Sequence, residues 1–309
     1  MIINKTLFCF LVGIFSFHLS YAQINLLNSK KVSDIGVKTV SQQKVDANDQ
    51  PLSYGNTNDD DILWSKIVWE VIDLNQKINH PFYYPINNNI DSIKKTVKGE
   101  RLSLYNALNN GIQENKIKTY RESSLIDELS LEKINTDLSS KCKNGDLSIV
   151  NPEEFDYFKI KGIWYFDKRQ GELKYRLLAI APLIGFDAKR KCGIAEDIAD
   201  AEENQEEGDE PFVEPKPKSF RPLYWVFYPE AREVLHNAKV FNPENSVHPI
   251  SFDHLLNARR FSSVIVQEEN VYGNRAIEDY TRGNSIFQLL EAEKIKESIR
   301  NKEIDMWNY

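Results

Sequence analysis

The chain has 309 residues, a formal net charge of −7, and 41% hydrophobic and 28% charged residues. A mildly acidic balance argues against nucleic acid as the main partner. The length gives one large domain or two small ones ample material for a core.

The opening reads as a secretory signal peptide. Lys5 precedes an apolar run from Thr6 to Phe17, and Ser20-Tyr21-Ala22 places small residues at the two positions a signal peptidase reads. That run is about twelve residues, short of the roughly 20 that a spanning helix needs. Removing residues 1–22 takes away one base, Lys5, and no acid, so −7 becomes −8. Cys9 lies inside the apolar run rather than after a small-residue box. A lipid-modified cysteine is therefore not expected, and a membrane is reached only through partners. The exported chain keeps Cys142 and Cys192. An oxidising compartment permits a disulfide between them, and two separate thiols are the alternative arrangement.

Residues 23–58 are rich in Asn, Ser, Gln, Asp and Lys without a sustained apolar period, and read as an extended or disordered arm. Order is expected from "DDDILWSKIVWEVIDLNQKIN". Asp59–Asp61 look like a helix N-terminus, and Ile62, Trp64, Ile67, Val68, Val71, Ile72 and Leu74 form an apolar stripe. On a helix Trp64 and Trp69 would lie about 140° apart. One is then expected in the core and the other at a contact. Two further helices are expected in "ERLSLYNALNNGIQENKI" and "SLIDELSLEKINTDLS", with Gly111 and Asn144-Gly145 as punctuation. Residues 59–150 thus read as mainly helical.

After Pro152 the texture changes to aromatic and β-branched residues. "FDYFKIKGIWYFDKRQGELKYRLLAIAPLIG" predicts two strands joined at Arg169-Gln170-Gly171, with Gly171 free to take a positive φ. "FRPLYWVFYP" is a third strand. "PEAREVLHNAKVF" follows as a helix with Pro229 in its first turn. "SFDHLLNARRF" is a helix capped by Ser251, "SSVIVQEEN" a fourth strand, and the chain closes on a helix ending "DMWNY". Between the second and third strands, at about 194–218, lies an acidic insertion with nine acids and no base from Glu196 to Glu210. It reads as disordered and solvated, because the acids lack the alternating spacing with a central Gly that calcium loops use. Residues 151–309 are an α+β part. The whole is α+β, a helical beginning followed by a small, mainly antiparallel sheet packed with helices.

The chemistry-bearing residues form no catalytic set. His80, His236, His248 and His254 lack the cysteines or paired acids of a metal shell, and neither cysteine has a neighbouring His to activate it. No phosphate loop and no nucleophile elbow appears. The pairs Glu153-Glu154 and Glu268-Glu269 need no role beyond surface charge in so acidic a chain. No cofactor is expected. Arg259-Arg260 end a helix, where they complement its dipole; a carboxylate clamp is the functional alternative. With five Trp, fourteen Tyr and sixteen Phe, aromatic anchors are the main resource. The candidate contact residues are Trp64, Trp69, Lys168, Arg169, Arg259, Arg260, Trp307 and Tyr309.

Five blocks in order, "DDILWSKIVWEVIDLNQKIN", "IKGIWYFDKRQGELKYRLLAIAP", "LYWVFYPEAREVL", "FDHLLNARRFSSVIVQEENVYG" and "LLEAEKIKESIRNKEIDMWNY", resemble the GldN/PorN family of gliding-motility and secretion proteins of the Bacteroidetes. The resemblance implies a periplasmic, non-enzymatic part of the type IX secretion system. Such a part forms a ring with the outer-membrane lipoprotein GldK/PorK and with other copies of itself, and contacts the periplasmic region of GldM/PorM. A ring of this kind needs one patch to meet a different patch on the next copy. A periplasmic hydrolase using the carboxylates, or a peptidoglycan or small-ligand binder, is the competing expectation.

Overall fold

The run from Ile62 to Asp73 is a twelve-residue strand, β1, and not a helix. Asp59–Asp61 form a single 3-10 turn before it rather than a helix N-terminus. The helical look of this sequence has a physical cause. β1 is central in its sheet, with β11 on one side and β5 on the other. Both its faces meet packed side chains, so apolar residues fall on even and odd positions alike. That pattern also fits a broad helical stripe. The β-branched residues Ile62, Ile67, Val68, Val71 and Ile72, stiff at χ1, fit the pleated backbone.

The computed structural model describes residues 48–85, 102–141, 147–149, 155–185, 220–240 and 250–307. The described residues from Pro51 onward belong to one compact unit. Its strands are β1, β2 (Thr119–Tyr120), β3 (Ser139–Lys141), β4 (Leu147–Ile149), β5 (Tyr157–Asp167), β6 (Glu172–Gly185), β7 (Phe220–Pro222), β8 (Trp225–Phe227), β9 (Lys239–Val240), β10 (Ile250–Ser251) and β11 (Val264–Glu268). Its α-helices are α1 (His80–Tyr83), α2 (Leu104–Gln113), α3 (Leu131–Leu138), α4 (Tyr228–Asn237), α5 (Phe252–Asn257), α6 (Ile277–Thr281) and α7 (Ser285–Trp307). Seven strands form one antiparallel sheet in the order β11-β1-β5-β6-β8-β2, with β7 also paired to β6. Helices and an antiparallel sheet make the α+β class that the sequence predicts.

The hairpin β5–β6 is where expected, with Asp167 opposite Glu172 and Gly171 at φ +63°. The strand expected across "FRPLYWVFYP" is broken into β7 and β8, both laid on β6. Ser251 caps α5, its hydroxyl accepting from the His254 amide at 3.2 Å, and Pro229 sits in the first turn of α4. Gly111 does not end a helix. It lies inside α2, where a Cβ would crowd Ile117 and Val234.

Residues two apart on a strand share a face. On β1, Val68 and Ile72 therefore look the same way and Trp69 the opposite way. On the first face, near Ile72, α1, α2, α4 and α5 bury the main core, with Phe158, Ile160, Leu177 and Ile180 as its floor. Near Val68, α6 and α7 close a smaller cluster through Ile277, Ala292, Ile295 and Ile299. The opposite face carries Trp69, Ala179, Ala181 and Trp225.

Candidate functional site

Between the two clusters on the first face stands Glu70, which is 2% exposed. Arg259 grips it with both branches of its guanidinium, Nη1 donating to Oε1 at 3.2 Å and Nη2 to Oε2 at 2.8 Å. The Ser263 hydroxyl also donates to Oε2. The guanidinium lies 4.0 Å from the Tyr175 ring centre and 5.2 and 5.3 Å from those of Trp164 and Phe261. Burial alone would lower the Arg259 pKa. The Glu70 carboxylate reverses that and raises it, so the guanidinium keeps its charge in this buried place.

Backbone geometry aims this side chain. At the end of α5 the Arg260 amide donates to Leu255 O at 3.0 Å and the Arg259 amide to Leu256 O at 3.2 Å, with Arg259 at φ +49°. This is a Schellman ending with arginine in the left-handed position that glycine usually fills. The neighbouring loop is fixed by the fully buried Asn79, which accepts from the Ser262 amide at 2.9 Å and donates to Asp73 O at 2.7 Å. Of the two readings for Arg259, the carboxylate clamp is the one its side chain makes, and the carboxylate is the chain's own Glu70. Arg260 is exposed.

A second clamp joins α4, α5 and the segment before β1. Asp253 accepts from Arg232 Nε at 2.9 Å and Nη2 at 3.1 Å, from the Tyr228 hydroxyl at 2.8 Å, and from Asn257 at 2.8 Å. Burial, and then the Asp253 charge, push the Tyr228 phenol well above its ordinary range. Arg232 also donates to Leu52 O at 2.5 Å. Tyr54 lies between two guanidiniums, its ring centre 4.1 Å from that of Arg232 and 4.5 Å from that of Arg176. Arg176 donates to Gly55 O and Arg169 to Asn56 O. The last residues of the expected arm are thus fastened by three arginines, while residues 23–47 lie outside the described residues.

At the hairpin tip Asp167 organises the turn, accepting from the amides of Arg169 at 3.0 Å and Gln170 at 3.3 Å and from Lys174 at 3.4 Å. Burial would raise this carboxyl, but the Gln170 amide, Lys174 and the Arg169 amide together hold it below its ordinary range. Arg169 reaches Asp61 at 3.1 Å, whereas Lys168 is exposed. The Trp307 indole passes over the turn, 3.5 Å from where a Gly171 Cβ would stand.

Trp64 and Trp69 lie on opposite faces of a strand, not 140° apart on the expected helix. Trp69 is buried with Trp225, and Trp64 packs beside the α7 cluster. Cys142, Cys192, His248, Tyr309 and the acidic insertion lie outside the described residues. Among the described residues no three His, Cys, Asp or Glu side chains gather as metal ligands. No helix there is long and apolar enough to cross a membrane. Of the paired acids, Glu268 meets Lys66 at 2.5 Å and Glu269 accepts from the Ile67 amide.

These contacts define a class: an α+β sheet protein whose buried charges act as struts between its elements. Within that class the chain belongs to the GldN family, since the model of "Gliding motility associated protein GldN" matches residues 57–308. It is accordingly a component of the gliding-motility and type IX secretion machinery. No individually curated protein matches the chain.

Proposed function

We propose that the chain is a non-enzymatic structural subunit of that machine, working in the periplasm against the inner face of the outer membrane. It forms a ring with a lipoprotein of the GldK/PorK kind and contacts the periplasmic region of a GldM/PorM-like protein. The observation that carries this reading is the reach of the family match, which takes in the whole sheet and every described helix. The chemistry is consistent with it. Among the perturbed groups, Arg259, Arg232, Tyr228 and Asp167 are each bonded to another group of the same chain, as struts are. The contact residues proposed here are ones whose side chains reach solvent, Lys168, Arg169, Arg260 and Trp307.

Co-expression with the lipoprotein, affinity capture of either partner and electron microscopy of the eluate test this reading. Large closed particles containing both chains are expected. Recovery of the two proteins separately, with no particle, would contradict it.

A further inference from the structure

Residues 51–56 open the compact unit and run as a strap between the α4–α5 clamp and the β5–β6 hairpin. Among the described residues no backbone-to-backbone hydrogen bond joins this strap to the rest of the chain. It is held by side chains that reach out to it. Arg232 donates to Leu52 O at 2.5 Å, Arg176 to Gly55 O at 3.3 Å and Arg169 to Asn56 O at 3.0 Å. Tyr54 is the anchor on the strap itself. Its ring fills the gap between the Arg232 and Arg176 guanidiniums, and its hydroxyl donates to Asn257 Oδ1 at 3.3 Å. Leu52, two residues away, is 83% exposed.

The seat beneath the strap is held by other groups. Asp253, 4% exposed, accepts from Arg232 through Nε and Nη2 and from Asn257 through Nδ2. Those bonds leave the face of the guanidinium and the Asn257 carbonyl directed at Tyr54. Arg176 is carried by the interior strand β6, its guanidinium 5.7 Å from the centre of the Tyr165 ring. A seat fixed in this way loses little freedom when a segment settles on it. What it reads is main-chain carbonyls and one aromatic ring between two cations, which any extended segment of the same sequence supplies.

We infer that this seat takes the 51–56 segment of a second copy of the chain as well as its own, so that straps are exchanged between neighbouring copies. An identical segment makes identical bonds. Exchange therefore trades each contact for its equal and costs only the straightening of the link at residues 57–58. Where copies are held side by side, the neighbour's segment is present at high effective concentration. The exchange within particles rests on the assembly reading above, whereas the capacity of the seat to take a segment from outside does not.

Two measurements test it. In the first, a labelled peptide of residues 48–58 is titrated into the full chain carrying Tyr54→Ala, whose own strap has lost its anchor. Saturable binding is expected. It should weaken at least about tenfold when the peptide carries Tyr54→Ala, and change little when the peptide carries Tyr54→Phe. Binding that is absent, or indifferent to the tyrosine, overturns the seat. In the second, benzoylphenylalanine stands at position 54 in particles co-expressed with the lipoprotein. Irradiation should give a species of twice the chain mass in which position 54 is joined to β6, α4 or α5 of another copy. Cross-linking only within one chain, or only to the lipoprotein, overturns the exchange. Absence of particles from the unsubstituted chain removes the assembly reading and the exchange with it, while the titration still decides the seat.

Discussion

The same face of one sheet carries two helical layers that are finished differently. Near Ile72, α2, α4 and α5 bury large apolar side chains completely, Leu108, Leu235, Phe252 and Leu256 among them. Near Val68, α7 buries only Ala292, Ile295 and Ile299 along 23 residues, while Ile286, Phe287, Leu289 and Leu290 face solvent. A helix apolar on more than one side is ordinarily buried on more than one side. The first end is closed in the single chain, and the second leaves large apolar side chains in solvent. Glu70 and Arg259 stand at the boundary and pin the α5 end to the central strand.

The largest test of this contrast removes the boundary strut. Arg259→Met leaves the Glu70 carboxylate buried without its partner and should cost about 3–5 kcal/mol of unfolding free energy in a denaturant titration. Adding Glu70→Leu should recover most of that loss. A single replacement costing under about 1 kcal/mol would show that the pair is not a strut. Next, Leu108→Ala in the finished end should cost about 2–5 kcal/mol through the cavity it leaves.

At the hairpin tip the effect is local and depends on pH. The folded Asp167 carboxyl lies below its ordinary value. Its contribution is therefore present above the unfolded pKa of about 4 and is lost as pH falls through the folded value. The amide resonances of Arg169 and Gln170 should stay put from about pH 7 to 5 and move only in more acid solution. Movement above pH 5 would mean that another group holds the turn. The smallest effect is expected at the unfinished end, where Leu290→Ala should change the stability of the free chain by no more than about 0.5 kcal/mol. A loss as large as that of Leu108→Ala would erase the contrast.

What the sequence made legible was what is decided locally. Gly171 supplies the positive φ of the hairpin, Ser251 caps α5 and Pro229 starts α4. Aromatic and β-branched density marks β5 and β6 as strands. What stayed hidden depends on distant neighbours. β1 reads as a helix because both its faces are covered. Glu70 within it draws no notice in the sequence, since nothing local says that an arginine 189 positions away closes on it. Arg259 gave no sign of its left-handed backbone because the usual glycine is absent.

Amide hydrogen exchange of the free chain against the chain assembled with its lipoprotein partner tests the contrast between the two ends most directly. The account predicts new protection across residues 285–297 on assembly and none in α2 or α4, which are already closed. Exchange unchanged at 285–297, or protection gained chiefly in α2 and α4, would contradict it.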